Sequence, residues 1–287
     1  MIQFKKPKFW QWGVAIGSLL WATSGCTSPL INASPQNKPI KVAQLSRQQI
    51  TDKGDIRIVY VQPRDANFNV IYAALQDSLE FSVPQESDGL IAQLNTKFAL
   101  PRDITVSFQE CGEANAFYDP EQVKIEMCYE LLKQYTDILG EDNQSSEAYA
   151  DEVIYSALFT FFHELGHAFV DQYQLPITGL EENVVDEFAA MMLLELQDDD
   201  AVIAGIDQFD VDAEEEEQLQ ELPFWTSHGL GAQRFYTVSC IIYGSNPEKF
   251  ANFVTSGDLP QERADLCPID YQRRERSWKF LLAPYRK

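Results

Sequence analysis

Two of the three histidines in this chain stand four positions apart, in His163-Glu164-Leu165-Gly166-His167. On a helix that spacing puts both imidazoles on one face a turn apart, near enough to share a metal ion, with Glu164 beside them toward an open coordination position. This is the HExxH arrangement, in which the two histidines bind zinc and the Glu acts as general base. The surrounding residues supply the helix. Between 151 and 173, Val153, Ala157, Phe161, Leu165, Ala168 and Phe169 recur at helical intervals, which predicts a strongly amphipathic or wholly buried helix. Gly166 costs that helix about 1 kcal/mol relative to Ala, which suggests that another backbone packs close at its turn.

A catalytic zinc site of this kind needs a third protein ligand. The helix should stop near Leu175-Pro176, Gly179 supplies a turn, and a second helix is expected from Glu181 to about Leu196. A loop of about six residues makes the two helices antiparallel neighbours, so Glu182 can approach as third ligand. Asp186, one turn on, is then placed to accept the free ring N–H of His163, with Asp186 or Glu187 as the fallback ligand. The plainer reading of Glu181 and Glu182 is an acidic helix start that meets the helix dipole favourably. His228, in Thr226-Ser227-His228-Gly229 ahead of an expected helix over 230–243, is the remaining imidazole. Arg234 is the first cation after 100 residues without one, suited either to a substrate carbonyl or carboxylate or to an ion pair with the acids around it.

His163-Glu164-x-x-His167 followed by Glu182-x-x-x-Asp186 resembles the gluzincin pattern of thermolysin and neprilysin, although the fifteen positions from His167 to Glu182 are fewer than in thermolysin. Asn115-Ala116-Phe117-Tyr118 resembles the edge strand with which those enzymes hold peptide substrate by backbone pairing. More closely, residues 55–284 resemble an uncharacterised bacterial family of proposed metallopeptidases, through Asn-Ala-Phe-Tyr-Asp-Pro, Cys128-Tyr129-Glu130, His-Glu-Leu-Gly-His, Glu-Glu-x-x-x-Asp and His228 with Gln233-Arg234. The resemblance implies a zincin-like fold and one Zn2+ held by His163, His167 and Glu182, with Asp186 behind His163. It further implies Glu164 as base, His228 as donor to the developing oxyanion, and Asn115, Ala116 and Arg234 on the substrate. That is a metalloendopeptidase acting on peptides or proteins. Two other readings stay open: an inactive zincin-fold envelope adaptor that keeps the metal for stability, and a zinc hydrolase with a non-peptide substrate.

The elements that must position these residues point to an α+β fold. A strand is expected over 55–61, helices over 68–81 and 90–100, and strands over 104–108 and 123–127, with Asp119-Pro120 marking a turn or an interrupted sheet edge. From Cys128 onward the pattern is mostly helical, giving a small N-terminal mixed sheet, an active-site helix and a mainly helical C-terminal lobe. The acidic stretch 198–217 lacks the spacing of a calcium loop and is expected to be a solvated loop.

Over 287 residues, 44 Asp and Glu against 22 Lys and Arg leave a net charge of -22, which argues against nucleic acid or an anionic membrane as partner. Residues 134–233 hold 24 of the acids and no Lys or Arg, so the charge belongs to the span that carries the motif. Lys5, Lys6 and Lys8 before the apolar run 14–22 predict a signal peptide over 1–25, and Thr23-Ser24-Gly25-Cys26 leaves lipidation at Cys26 and simple cleavage as competing routes. A polar linker is expected over 26–53 and the catalytic domain over 54–287. The protein is therefore expected outside the cytoplasm: periplasmic, lipid-anchored or secreted, touching membrane only through a lipid. Cys111, Cys128, Cys240 and Cys267 suit two disulfides in such a space, and locality favours Cys111 with Cys128 and Cys240 with Cys267.

Overall fold

A computed structural model describes residues 50–78, 81, 89–139 and 146–287, with side chains for all of these but 138, 139 and 146–149. The expected signal peptide, Cys26 and the linker up to 49 lie outside the described residues. Residues 50–53, assigned to the linker by composition, belong to the folded unit: Asp52 accepts a hydrogen bond from Leu100 N at 3.1 Å, and Lys53 N donates to Leu100 O at 2.8 Å.

Four strands form one sheet among the described residues: β1 (Ile56–Tyr60), β2 (Ile104–Gln109), β3 (Ala116–Asp119) and β4 (Lys124–Cys128), in the order β1-β2-β4-β3. The first two pairings are parallel and bring Ile58 opposite Val106 and Val106 opposite Ile125, whereas β3 runs antiparallel to β4 with Ala116 opposite Met127. β-Branched and aromatic residues on one face explain why these segments pair. Ile104, Val106, Phe108, Ile125 and Met127 are fully buried against the helices. The Asn-Ala-Phe-Tyr-Asp-Pro segment is thus a true edge strand, ended where Pro120 cannot donate to the ladder.

The helices are α1 (Asn69–Asp77), α2 (Leu90–Lys97), α3 (Tyr129–Leu139), α4 (Ser146–Tyr173), α5 (Glu181–Leu196), α6 (Asp199–Glu216), α7 (Gly231–Ser245), α8 (Asn252–Thr255), α9 (Gln261–Ala264) and α10 (Cys267–Leu282). The central one is α4. Its segment Ala150–Tyr173 is long and apolar enough to cross a membrane, but 89% of its most apolar window is buried inside the protein, which makes it a core helix. Gln174, at φ +49°, turns the chain out of α4, and Leu175 N closes the turn on Val170 O at 3.0 Å. The chain then returns along α5, whose packing partner on α4 is Gly166. A methyl group there would stand 2.9 Å from Val185 Cβ, so it is an α5 side chain, rather than a bare backbone, that needs the glycine.

The acidic stretch after Leu196 is a helix, which corrects the expected loop. Ala201, Val202, Ile206 and Phe209 form a buried stripe at helical spacing, masked in the sequence by the acids between them. Asp198 caps the helix by accepting from Ala201 N at 3.2 Å, and the acids of the first turn meet the positive end of its dipole. Disulfides join Cys111 to Cys128 and Cys240 to Cys267, as their locality suggested. The first ties the approach to β3 onto the end of β4, the second ties α7 to α10, and each is worth about 3 kcal/mol in the chain-entropy picture.

Candidate metal centre

His163 and His167 stand one turn apart on α4 and face the start of α5. The Nε2 atoms of His163, His167 and His228 lie 3.2, 3.4 and 3.0 Å from a single atom, Glu182 Oε2. That oxygen is buried, yet none of the three contacts has hydrogen-bond alignment. Donors around 2.0–2.2 Å from a tetrahedral zinc stand roughly 3.3–3.6 Å from one another. The separations from Glu182 are therefore close to the edges of a coordination polyhedron, and the orphaned oxygen and three converging lone pairs fit a metal ion better than a hydrogen-bond network. The ligand atoms of His163, Glu182 and His228 all lie within 4.8 Å of one another, and His167 joins through Glu182.

The far nitrogens of the α4 imidazoles are held by carboxylates. His163 Nδ1 lies 2.8 Å from Asp186 Oδ1, and His167 Nδ1 lies 2.8 Å from Glu181 Oε1. A metal-binding imidazole needs such a partner to fix its tautomer and ring plane. Asp186 is 2% exposed and is itself gripped by Arg234, whose Nε and Nη2 donate to Oδ2 at 2.8 Å and Oδ1 at 2.9 Å. The guanidinium also lies over the Phe209 ring at 4.0 Å and 3.5 Å from Asp212. With its fork on Asp186, Arg234 stands in the ion pair that was the alternative to substrate contact, and through Asp186 it supports the His163 ring.

The electrostatics suit a cation among these groups. Burial would lower the pKa of His163, but Asp186 and Glu182 outweigh it and raise it to about 9; His167 is raised against burial by Glu182 and Glu181. Burial would raise the pKa of Glu182, and the three imidazoles reverse that and lower it. A cluster that pulls protons onto its imidazoles is one in which a cation can replace them. Glu164, 5% exposed beside the cluster, is the exception: burial raises its pKa, against the pull of His163 and His167.

The cluster opens into a cleft of about 710 Å³. Asn115, Ala116 and Tyr118 of the sheet edge form one wall and Glu164, His167 and Glu181 line the other side. Tyr118 donates to Asp171 Oδ2 at 2.7 Å, pinning β3 to α4 and fixing the width of the cleft. Behind His163 and Glu164 a smaller pocket of about 130 Å³ is lined by Tyr135, Phe159, Gln208 and Asp212. Glu187, the fallback ligand, points elsewhere and pairs with Arg274 at 2.7 Å.

Sequence reasoning missed Glu181, explaining it by the helix dipole alone. The signal was available in the hairpin: contacts between antiparallel helices move in opposite directions along the chain. If Asp186 meets His163, then a residue about a turn earlier on α5 meets His167, one turn later on α4. Tyr135 and Gln208 carried no comparable signal.

Fold and site together define an α+β protein with a histidine–carboxylate cluster that could hold a metal ion at the floor of a cleft. The chain belongs to the family described as "Putative metallopeptidase", which it matches over residues 60–282. No curated protein and no solved structure matches it.

Proposed function

We propose that the protein is a zinc-dependent peptidase of zincin-like fold, with His163, His167 and Glu182 as metal ligands and Glu164 as general base. The observation that carries this reading is the buried carboxyl of Glu164 beside a convergent ligand set, in a cleft walled by a sheet edge. A metal kept only for stability has no use for that carboxyl. The histidine and carboxylate donors suit zinc, which when bound would polarise both the scissile carbonyl and the attacking water. Glu164 accepts the proton of that water as it adds to the carbonyl carbon, and passes it to the nitrogen as the C–N bond breaks. The raised pKa of Glu164 brings its proton affinity closer to that of the groups it serves. His228 faces the same space and is placed to donate to the developing oxyanion. The outer edge of β3, from Ala116 to Asp119, offers backbone groups to an extended peptide, and Asn115 adjoins it. Two disulfides support an exported protein, periplasmic, lipid-anchored at Cys26 or secreted.

The test is digestion of a peptide library with and without chelator, beside Glu164→Gln. Cleavage is expected in the wild type alone, abolished by chelator and restored by zinc. Cleavage that survives the substitution would sink the assignment. Metal loss that unfolds the protein while Glu164→Gln changes no phenotype would favour the adaptor.

A further inference from the structure

A catalytic metal site leaves one position free of protein, whereas here His163, Glu182 and His228 already offer three donors within 4.8 Å of one another and His167 Nε2 adds a fourth, 3.4 Å from Glu182 Oε2. His228 Nε2 is the nearest of the three imidazoles to Glu182 Oε2, at 3.0 Å, and its ring lies 11° from parallel with that of His163, centroids 6.4 Å apart. The mounting of His228 sets it apart. His163 and His167 sit on a core helix with carboxylates at 2.8 Å behind each ring. His228 sits on the segment 217–230, which has neither helix nor strand, and its side chain is 52% exposed. Among the described residues, the polar atom behind its ring is the adjacent Ser227 Oγ, 3.4 Å from Nδ1.

We infer that His228 is a detachable fourth protein ligand of the metal, bound through Nε2 in the resting protein and released when substrate enters. The inference rests on the reading of the cluster as a peptidase centre and adds how that centre is kept shut. Four protein donors close the coordination sphere to substrate, and a permanently closed site would leave Glu164 without a task. The weakly held donor is the one that can leave: moving it bends a loop, while moving His163 or His167 would break the core hairpin and its carboxylate partners. Once released, the same ring stands beside the attacked carbonyl, where the oxyanion donor is needed.

The deciding measurement is the number of imidazoles around zinc in the resting, zinc-loaded full chain, read by X-ray absorption at the zinc edge. Three are expected, and two would overturn the inference. Zinc affinity, measured by chelator competition, is expected to fall about ten-fold or more in both His228→Ala and His228→Gln. The visible spectrum of the cobalt-loaded protein is expected to change with it. Unchanged affinity and spectrum in both variants would leave His228 as an oxyanion donor only and would also overturn the inference. A wild-type chain that binds no zinc would bring down the peptidase reading itself, so the two failures are distinguishable.

Discussion

Asp186 and Glu181 perform the same task in unequal surroundings. Asp186 is 2% exposed and doubly bonded to Arg234, while the Glu181 side chain is 44% exposed and, among the described residues, pairs with His167. A ring held by a dry, ion-paired carboxylate loses more when that carboxylate is neutralised than one whose partner water can replace. Asp186→Asn is expected to weaken zinc binding about ten- to a hundred-fold and to lower the unfolding temperature, because Arg234 is then left buried with little but Asp212 at 3.5 Å. Glu181→Gln is expected to weaken zinc by a few-fold at most, with little effect on unfolding. Chelator competition and thermal unfolding on the two variants check the ranking, and equal losses would refute it. At this scale the sequence was legible wherever spacing along one helix did the work, as for His163 and His167. It was not legible at Arg234, whose partner lies 48 positions away and whose type suits a substrate as well as an ion pair.

The hairpin of α4 and α5 sets the distance from the imidazoles to Glu182, and Gly166 sets how close the hairpin packs. A Cβ there would stand 2.9 Å from Val185 Cβ and 3.1 Å from Phe188 Cδ1, and a Cβ cannot swing aside as a side-chain tip can. Gly166→Ala therefore gains about 1 kcal/mol of helix propensity but must push α5 away or deform it, at about 1–3 kcal/mol for overpacking. The net expectation is a small loss of stability and a larger loss of zinc affinity, since Glu182 moves with α5; chelator competition on a variant confirmed as folded checks it. Unchanged affinity would mean that α5 does not move as a unit. The hairpin was readable because both helices show an apolar period and the loop between them is short. Two elements were not. The period of α6 is diluted by acids, and the sheet order depends on parallel pairings between segments as distant as Ile56 and Ile104, which no local pattern encodes.

Along the chain, the span without a single Lys or Arg runs through α4, α5 and α6 to the start of α7, so it supplies the helical side of the cleft, opposite the sheet edge. Peptides with Lys or Arg near the cleavage point are expected to be cleaved faster than acidic ones, and the preference should shrink between roughly 0.05 and 0.5 M salt as screening shortens. Such a concentration of charge also costs stability where acids meet below the surface. Asp207, on α6, is the clearest instance: burial, then Asp210, Glu152 and Asp258, raise its pKa from 3.8 to about 7. Below pH 3.8 the carboxyl is protonated in folded and unfolded chains alike, and no penalty arises. As the pH rises from 3.8 to about 7 the unfolded chain releases a proton that the fold retains, so stability drains away over that window and levels off above it. Asp207→Asn removes the titration but keeps the shape. It is expected to leave the unfolding temperature nearly unchanged at pH 4 and to raise it at pH 8, by ~1–2 kcal/mol of stability once relaxation and water access are allowed for, or a few degrees in a domain of this size. Thermal unfolding of the two proteins across that range gives the difference directly. A gain that is the same at both ends would show that Asp207 does not titrate in the window, and that the acids of α6 are individually as well solvated as they looked in the sequence.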